Sequence, residues 1–167
     1  MDNVFVGKLV NTHGVKGEVR IKSDFELKSK VFCKGSKLII KGKEFIVNSY
    51  RVHKEFDMVT FEGINNINDI LYLKGSNVFV KRSELELDNE DYILSDLIEL
   101  DVILNNENIG TITDYTTGAN PLLCVDYNNK TYYIPLKGDF ISNVDIKNHK
   151  IEVNDNVKGL MLWELVY

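Results

Sequence analysis

Val10–Ile21 reads VNTHGVKGEVRI. Its two ends are apolar and β-branched, and its middle holds Gly14 and Gly17 three residues apart. The right-hand part, Glu18–Ser23, alternates cleanly: Val19 and Ile21 fall on one face, Glu18, Arg20 and Lys22 on the other. A strand follows the glycines, so no helix dipole is offered to a phosphate there. The Gly-rich, Lys-Ser/Thr pattern of a nucleotide loop is also missing. The stretch therefore reads as strand, tight turn, strand, with Gly14 and Gly17 taking backbone angles that other residues resist. This turn presents Lys16, Arg20 and Lys22, a set suited to phosphate contact.

Outward from this hairpin the chain is β throughout. Val4–Val10, Lys37–Ile40, Glu44–Val52, Met58–Phe61 and Asn77–Lys81 complete about six strands, spaced as a small barrel requires. A single helix is expected over NNINDILYLKG, capped at Asn65 or Asn66, with a stripe of Ile67, Ile70, Leu71 and Leu73 and a stop at Gly75. Ser83–Asp91, SELELDNED, is polar and acidic and reads as a linker. The second half is again β. Asp101–Leu104 and Ile109–Tyr115 flank the turn NNEN, and Leu122–Tyr127 and Lys130–Pro135 flank Asn128-Asn129. Lys150–Val153 is a further strand. DFISNVD, Asp139–Asp145, reads as a helical turn with Phe140, Ile141 and Val144 inward. Within Tyr132-Tyr133 one ring must face in and the other out. The expected organisation is an all-β pair of small barrels: residues 1–83, a linker 84–91, and residues 92–167.

The 167 residues carry a net charge of −5, but unevenly. Residues 1–87 hold 15 Lys and Arg against 11 Asp and Glu, and residues 88–167 hold 5 against 14. From Lys8 to Lys54 there are 12 basic residues against 4 acidic, an excess of 8. A basic front can approach nucleic acid, and an acidic back can meet a basic protein. Equally, acidic loops can serve only to keep the chain in solution.

No apolar run approaches the roughly 20 residues that span a bilayer, and the start MDNVFVGK does not resemble a signal peptide. Cys33 and Cys124 lie far apart in or beside apolar runs, which suggests two buried, reduced thiols in a cytoplasmic protein. Three histidines and two cysteines give no zinc spacing. Glu18 and Asp24 lie near His13 in sequence, but no serine or cysteine elbow accompanies them, so catalysis through His13 is the weaker reading.

The residues then carry a resemblance. VGKLVNTHGVKGEVRIKS is similar to the opening of the RimM family, bacterial factors that mature the small ribosomal subunit. DLIELDVILNNENIGTITDYTTGANPLLCVDY resembles that family's PRC-barrel opening. YYIPL, DFISNVDIKNHKIEV and the late KGLMLW fit the remainder. The resemblance implies an N-terminal six-stranded antiparallel barrel of the translation-factor kind, followed by a PRC-barrel. It implies a monomeric assembly factor without enzymatic activity or cofactor. Such a factor binds the immature 30S subunit, assists folding and processing of 16S rRNA, and contacts ribosomal protein nineteen of the subunit head. His13, Lys16, Arg20 and Lys22 would face RNA. Tyr92, Ile93, Leu94, Asp96, Leu97 and the loop Gly118-Ala119-Asn120-Pro121 would face the ribosomal protein. Three positions depart from the family pattern. Tyr92-Ile93-Leu94 stands where Tyr-Tyr-Trp is frequent, Glu99 where glycine is common, and Pro121 where aspartate is frequent. Tyr92–Leu94 are thus either core or an interface centre. The competing class is an RNA-processing or RNA-modifying enzyme using His13 as general base. A membrane adaptor would need an anchor, and none is visible.

Overall fold

The computed structural model describes residues 3–88 and 90–161, which divide into two compact units at residues 89 and 90. In the first, β1 (Asn3–His13), β2 (Glu18–Lys22), β3 (Lys37–Ile40), β4 (Lys43–His53), β5 (Phe56–Phe61) and β6 (Asn77–Lys81) close a barrel in the order β1-β2-β5-β4-β3-β6. Closure depends on two long strands that each serve two neighbours. The first half of β1 pairs with β6 and the second with β2, and bulges at Phe5/Gly7 and Leu9/Asn11 bend it between them. β4 divides in the same way between β3 and β5. Gly7 permits the bend, since a Cβ there would lie 2.6 Å from the Lys22 carbonyl oxygen.

Inside the barrel the alternation read from sequence holds. Val19, Ile21, Leu38, Ile40, Val78 and Val80 are all buried. Its ends are covered by shorter pieces. A one-turn helix α1 (Lys28–Val31) brings Val31 and Phe32 in at one end. The helix expected after Asn65 is instead two 3-10 turns, Ile67–Asp69 and Leu71–Leu73. Asn66 is its cap, accepting from the Asn68 N–H. Ile70 and Leu73 are buried while Leu71 is exposed, the three-residue period of a 3-10 turn. The segment is short and its β-branched isoleucines resist a longer α-helix.

The stretch read as linker is partly structural. Arg82–Leu85 forms a 3-10 turn, Leu85 is buried, and its carbonyl accepts from the Lys30 ammonium at 2.8 Å. Leu85 therefore belongs to the first unit. Cys33 also departs from expectation: it is exposed, with its thiol 2.9 Å from the Ser36 hydroxyl, while Cys124 is half-buried.

The second unit is a six-stranded sheet ordered β10-β9-β8-β7-β12-β11. Its strands are β7 (Asp101–Leu104), β8 (Glu107–Tyr115), β9 (Leu122–Tyr127), β10 (Lys130–Pro135), β11 (Ile141–Asp145) and β12 (Lys150–Val153). All pairs are antiparallel except β7 with β12. The turns at Asn105-Asn106 and Asn128-Asn129 have positive φ at both positions, the primed geometry that matches strand twist. β11 replaces the helical turn expected over Asp139–Asp145. Pairing with β12 supplies its backbone partners, and Phe140, Ile141 and Val144 still pack on the core as expected. Tyr132 is buried, its hydroxyl donating to the Ile109 carbonyl at 2.9 Å, and Tyr133 is exposed. Of the late KGLMLW segment, residues 162 and 163 lie outside the described residues.

Glu99 sits between the segment Leu94–Leu97 and β7 at φ 74°, its N–H donating to the Ile112 carbonyl at 2.7 Å. A side chain in this left-handed region costs about 1 kcal/mol that glycine avoids. Part of that gain returns as unfolded-state entropy. Glu99→Gly is expected to raise stability by about 0.5 kcal/mol, read as a higher denaturant midpoint at unchanged slope. A lower midpoint would show that the glutamate side chain has a stabilising contact.

Candidate functional site

The outward face of β1, β2, β5 and β4 gathers the charged residues of the first unit. Glu18, Arg20 and Lys22 point away from the core because Val19 and Ile21 point into it. Register then brings distant residues alongside. Glu18 stands opposite His13, and Arg20 and Arg51 both stand opposite Met58. Met58 is 0% exposed although it lies on this outer face between two arginines, as expected where long cationic side chains lay their stems over apolar surface.

Arg20 is held in place. One guanidinium nitrogen lies 2.8 Å from His13 Nδ1. A guanidinium only donates, so Nδ1 accepts and the imidazole proton sits on Nε2. The same guanidinium and the Lys22 ammonium each lie 5.8 Å from the centre of the Phe56 ring. Lys22 pairs with Glu55 at 3.0 Å, an exposed contact of little strength. Arg51 grips Glu18 through two hydrogen bonds, at 2.7 and 3.0 Å. The hydrogen bond from Arg51 holds the Glu18 carboxyl below the usual range, against the opposing effect of burial. His53 packs 5.9 Å from His13, centre to centre. Loss of solvation pushes its imidazole down, and the charges of Arg51, Lys54 and Arg20 add to this. The face is thus cationic: arginines and lysines outnumber Glu18 and Glu55, and His53 is biased toward its neutral form.

Lys16 lies apart from this cluster, exposed in the β1–β2 turn. The turn is pinned from outside, because the Val15 carbonyl accepts from the Ile67 N–H at 3.1 Å. Gly17, at φ 94°, faces Ile64 so closely that a Cβ would lie 3.1 Å from that side chain. The structure therefore unites His13, Arg20 and Lys22, places Lys16 at the tip, and adds Arg51, His53 and Phe56, which sequence reading passed over. Their signal was the alternation of Arg51, His53 and Glu55 in the β4–β5 hairpin.

In the second unit the expected protein-facing residues separate. Ile93 is 2% exposed and Leu97 0%, so both are core. Leu94 is half-buried against that core. Asp96 closes the turn, its carboxylate accepting from the Ile93 N–H at 3.0 Å and its own N–H donating to the Ile93 carbonyl. Tyr92 is 36% exposed. Gly118, Ala119 and Asn120 are exposed and Pro121 is half-buried. The Pro121 carbonyl accepts from the Leu136 N–H at 3.0 Å, which ties the loop to the end of β10.

Both units match known sequence families. Residues 4–85 match the RimM N-terminal domain and residues 94–157 the RimM PRC barrel domain. The chain belongs to the RimM family. A ribosome maturation factor RimM of Staphylococcus saprophyticus is 40% identical over 167 residues, covering 95% of this chain and 98% of that protein. One from Staphylococcus epidermidis is 39% identical over 166 residues, with the same coverage. The solution structure of the N-terminal domain of RimM from Thermus thermophilus covers 51% of this chain at 16% identity, with a TM-score of 0.44. The family assignment rests on the sequence matches. No helix among the described residues is long and apolar enough to cross a membrane.

Proposed function

We propose that this RimM-family chain is a maturation factor of the small ribosomal subunit. It binds the immature 30S particle and assists folding and processing of 16S rRNA without chemistry of its own. The observation that carries the reading is the match along both domains to relatives named ribosome maturation factor RimM. The cationic outer face of the first unit turns toward RNA phosphates. The acidic second unit meets the basic ribosomal protein nineteen of the head through Tyr92 and the loop Gly118–Pro121. Ile93, Leu94 and Leu97 support that surface from beneath. The enzyme reading draws no support from His13. Its Nδ1 is taken by Arg20, and among the described residues no carboxylate hydrogen-bonds to it.

The test is co-sedimentation of the full chain with immature small subunits. Lys16→Gln, Arg20→Gln and Lys22→Gln together should weaken binding. They should also flatten the log-log salt dependence by up to about one unit for each phosphate that is no longer neutralised. A chain that fails to sediment with these particles, or an unchanged salt slope in the triple variant, overturns the respective half of the proposal. RNA cleavage that disappears in His13→Ala would establish the enzyme instead.

A further inference from the structure

Two exposed or half-exposed rings on the first unit are each bracketed by a pair of cations. Phe56 lies under Arg20 and Lys22. Tyr72, 46% exposed on the second 3-10 turn, has the Lys41 and Lys43 ammonium groups 5.8 and 5.6 Å from its ring centre. Lys41 lies in the β3–β4 turn at φ 50°, beside Gly42 at φ 75°, and Lys43 opens β4. No carboxylate pairs with either among the described residues. Holding two like charges over one ring, unneutralised, makes a site that an anion improves.

Between the two rings the surface continues in the same character. Register sets Asn77, Lys8 and Lys22 across β6, β1 and β2 in one row, all exposed. Two residues from Asn77, Phe79 meets the 55% exposed ring of Phe5 edge to face at 5.8 Å. Aromatic faces interspersed with lysines suit an unpaired nucleic acid strand. Each base has a face to stack and each phosphate a charge to meet. A duplex hides its bases and would use only the lysines.

We propose that the outer wall of this barrel is a track for single-stranded RNA, running from Phe56 past Lys8 to Tyr72 and its two lysines. The inference rests on the functional reading above and names the form of RNA that the basic half takes. Tyr72 and the Lys41/Lys43 pair form the far end, remote in sequence from the His13 turn.

The experiment is fluorescence anisotropy of the full chain with labelled uridine and adenosine oligonucleotides of about twelve residues, and with an RNA duplex of matched charge. Single strands should bind tighter than the duplex. Tyr72→Leu, which keeps apolar bulk but removes the ring, should weaken single-strand binding at least about fivefold and leave duplex binding unchanged. Lys41→Gln with Lys43→Gln should reduce the single-strand salt slope by about 1.4. Circular dichroism of each variant confirms the fold, and both changes are at exposed positions. Preference for duplex, or Tyr72→Leu binding like the parent, overturns the track. A parent chain that sediments with immature subunits yet binds no single strand overturns the track alone. A chain that does neither overturns the functional reading as well.

Discussion

Gly110→Ala is expected to cost about 3 kcal/mol or more. Gly110 lies in β8 at φ 140°, and its α-carbon presses on β9. A Cβ built there would stand 2.6 Å from Val125 Cγ1 and 2.8 Å from the Asp126 carbonyl oxygen. The first contact could be relieved by a rotamer change, but Val125 is fully buried and has nowhere to turn. The second is backbone, and relief means parting β8 from β9 beside the Thr111–Asp126 pair. For a unit of this size the loss corresponds to a fall of about 12–24 °C in melting temperature. Gly118→Ala is the control. Gly118 also has positive φ, 102°, but nothing lies within 4 Å of its added Cβ. It should lose only the conformational cost, about 1 kcal/mol. Calorimetry of the two variants separates clash from strain. If Gly110→Ala melts with Gly118→Ala, the close approach of β8 to β9 is not what the glycine serves.

The same glycine shows what a sequence discloses about this fold. Strands were legible because alternation reports which face is buried, and Lys37–Ile40, Asn77–Lys81, Asp101–Leu104 and Leu122–Tyr127 have the bounds read from sequence. The paired asparagines gave the hairpins, because few other residues accept positive φ twice in succession. The 3-10 turns were not legible as such: Ile67, Ile70 and Leu73 satisfy a three-residue period and a 3.6-residue period equally over so short a span. DFISNVD misled for a related reason. Its apolar residues do pack inward, but strand pairing with β12, a tertiary matter, chose the backbone. Leu85 was hidden by its neighbours, since a leucine between two glutamates looks like linker until its own carbonyl is found holding Lys30.

At the candidate site, the part carried by one hairpin was legible and the part carried by register was not. His13, Arg20 and Lys22 lie within ten residues of each other. Arg51 joins them from 33 residues beyond Glu18, through a β2–β5–β4 adjacency that no local pattern encodes. The cluster at Tyr92–Leu97 failed in the opposite sense. Apolar residues after an acidic stretch could be interface or core, and burial assigns Ile93 and Leu97 to core. Of the leading three, Tyr92 is 36% exposed and Ile93 only 2%.

A buried carboxylate on β5 supplies the other large expected effect. Asp57 is 2% exposed. One carboxylate oxygen accepts from the Tyr50 hydroxyl at 2.6 Å, and the other has the Lys28 ammonium 2.8 Å away. Burial of the phenol, then its bond to Asp57, pushes Tyr50 up to about 12, so this hydroxyl stays a donor across the physiological range. Tyr50 in turn stacks on Phe32, which directly follows α1, so these contacts tie α1 to β4 and β5. The two partners are unequal. Lys28 is 38% exposed and can recover water, whereas the Asp57 side chain at 4% cannot. Removing the lysine should therefore cost more than neutralising the aspartate. Lys28→Met strands a buried carboxylate whose second oxygen has no hydrogen bond of its own, and is expected to lose about 3 kcal/mol. Asp57→Asn keeps an acceptor for Tyr50 and frees Lys28 to solvent, and should lose about 1–2 kcal/mol. The double variant should recover most of the Lys28→Met deficit, because no charge is left buried. Denaturant titrations of the three proteins give the cycle directly. Equal losses in the two single variants, or simple additivity in the double, would mean that Lys28 stays in solvent and that Tyr50 alone satisfies the carboxylate.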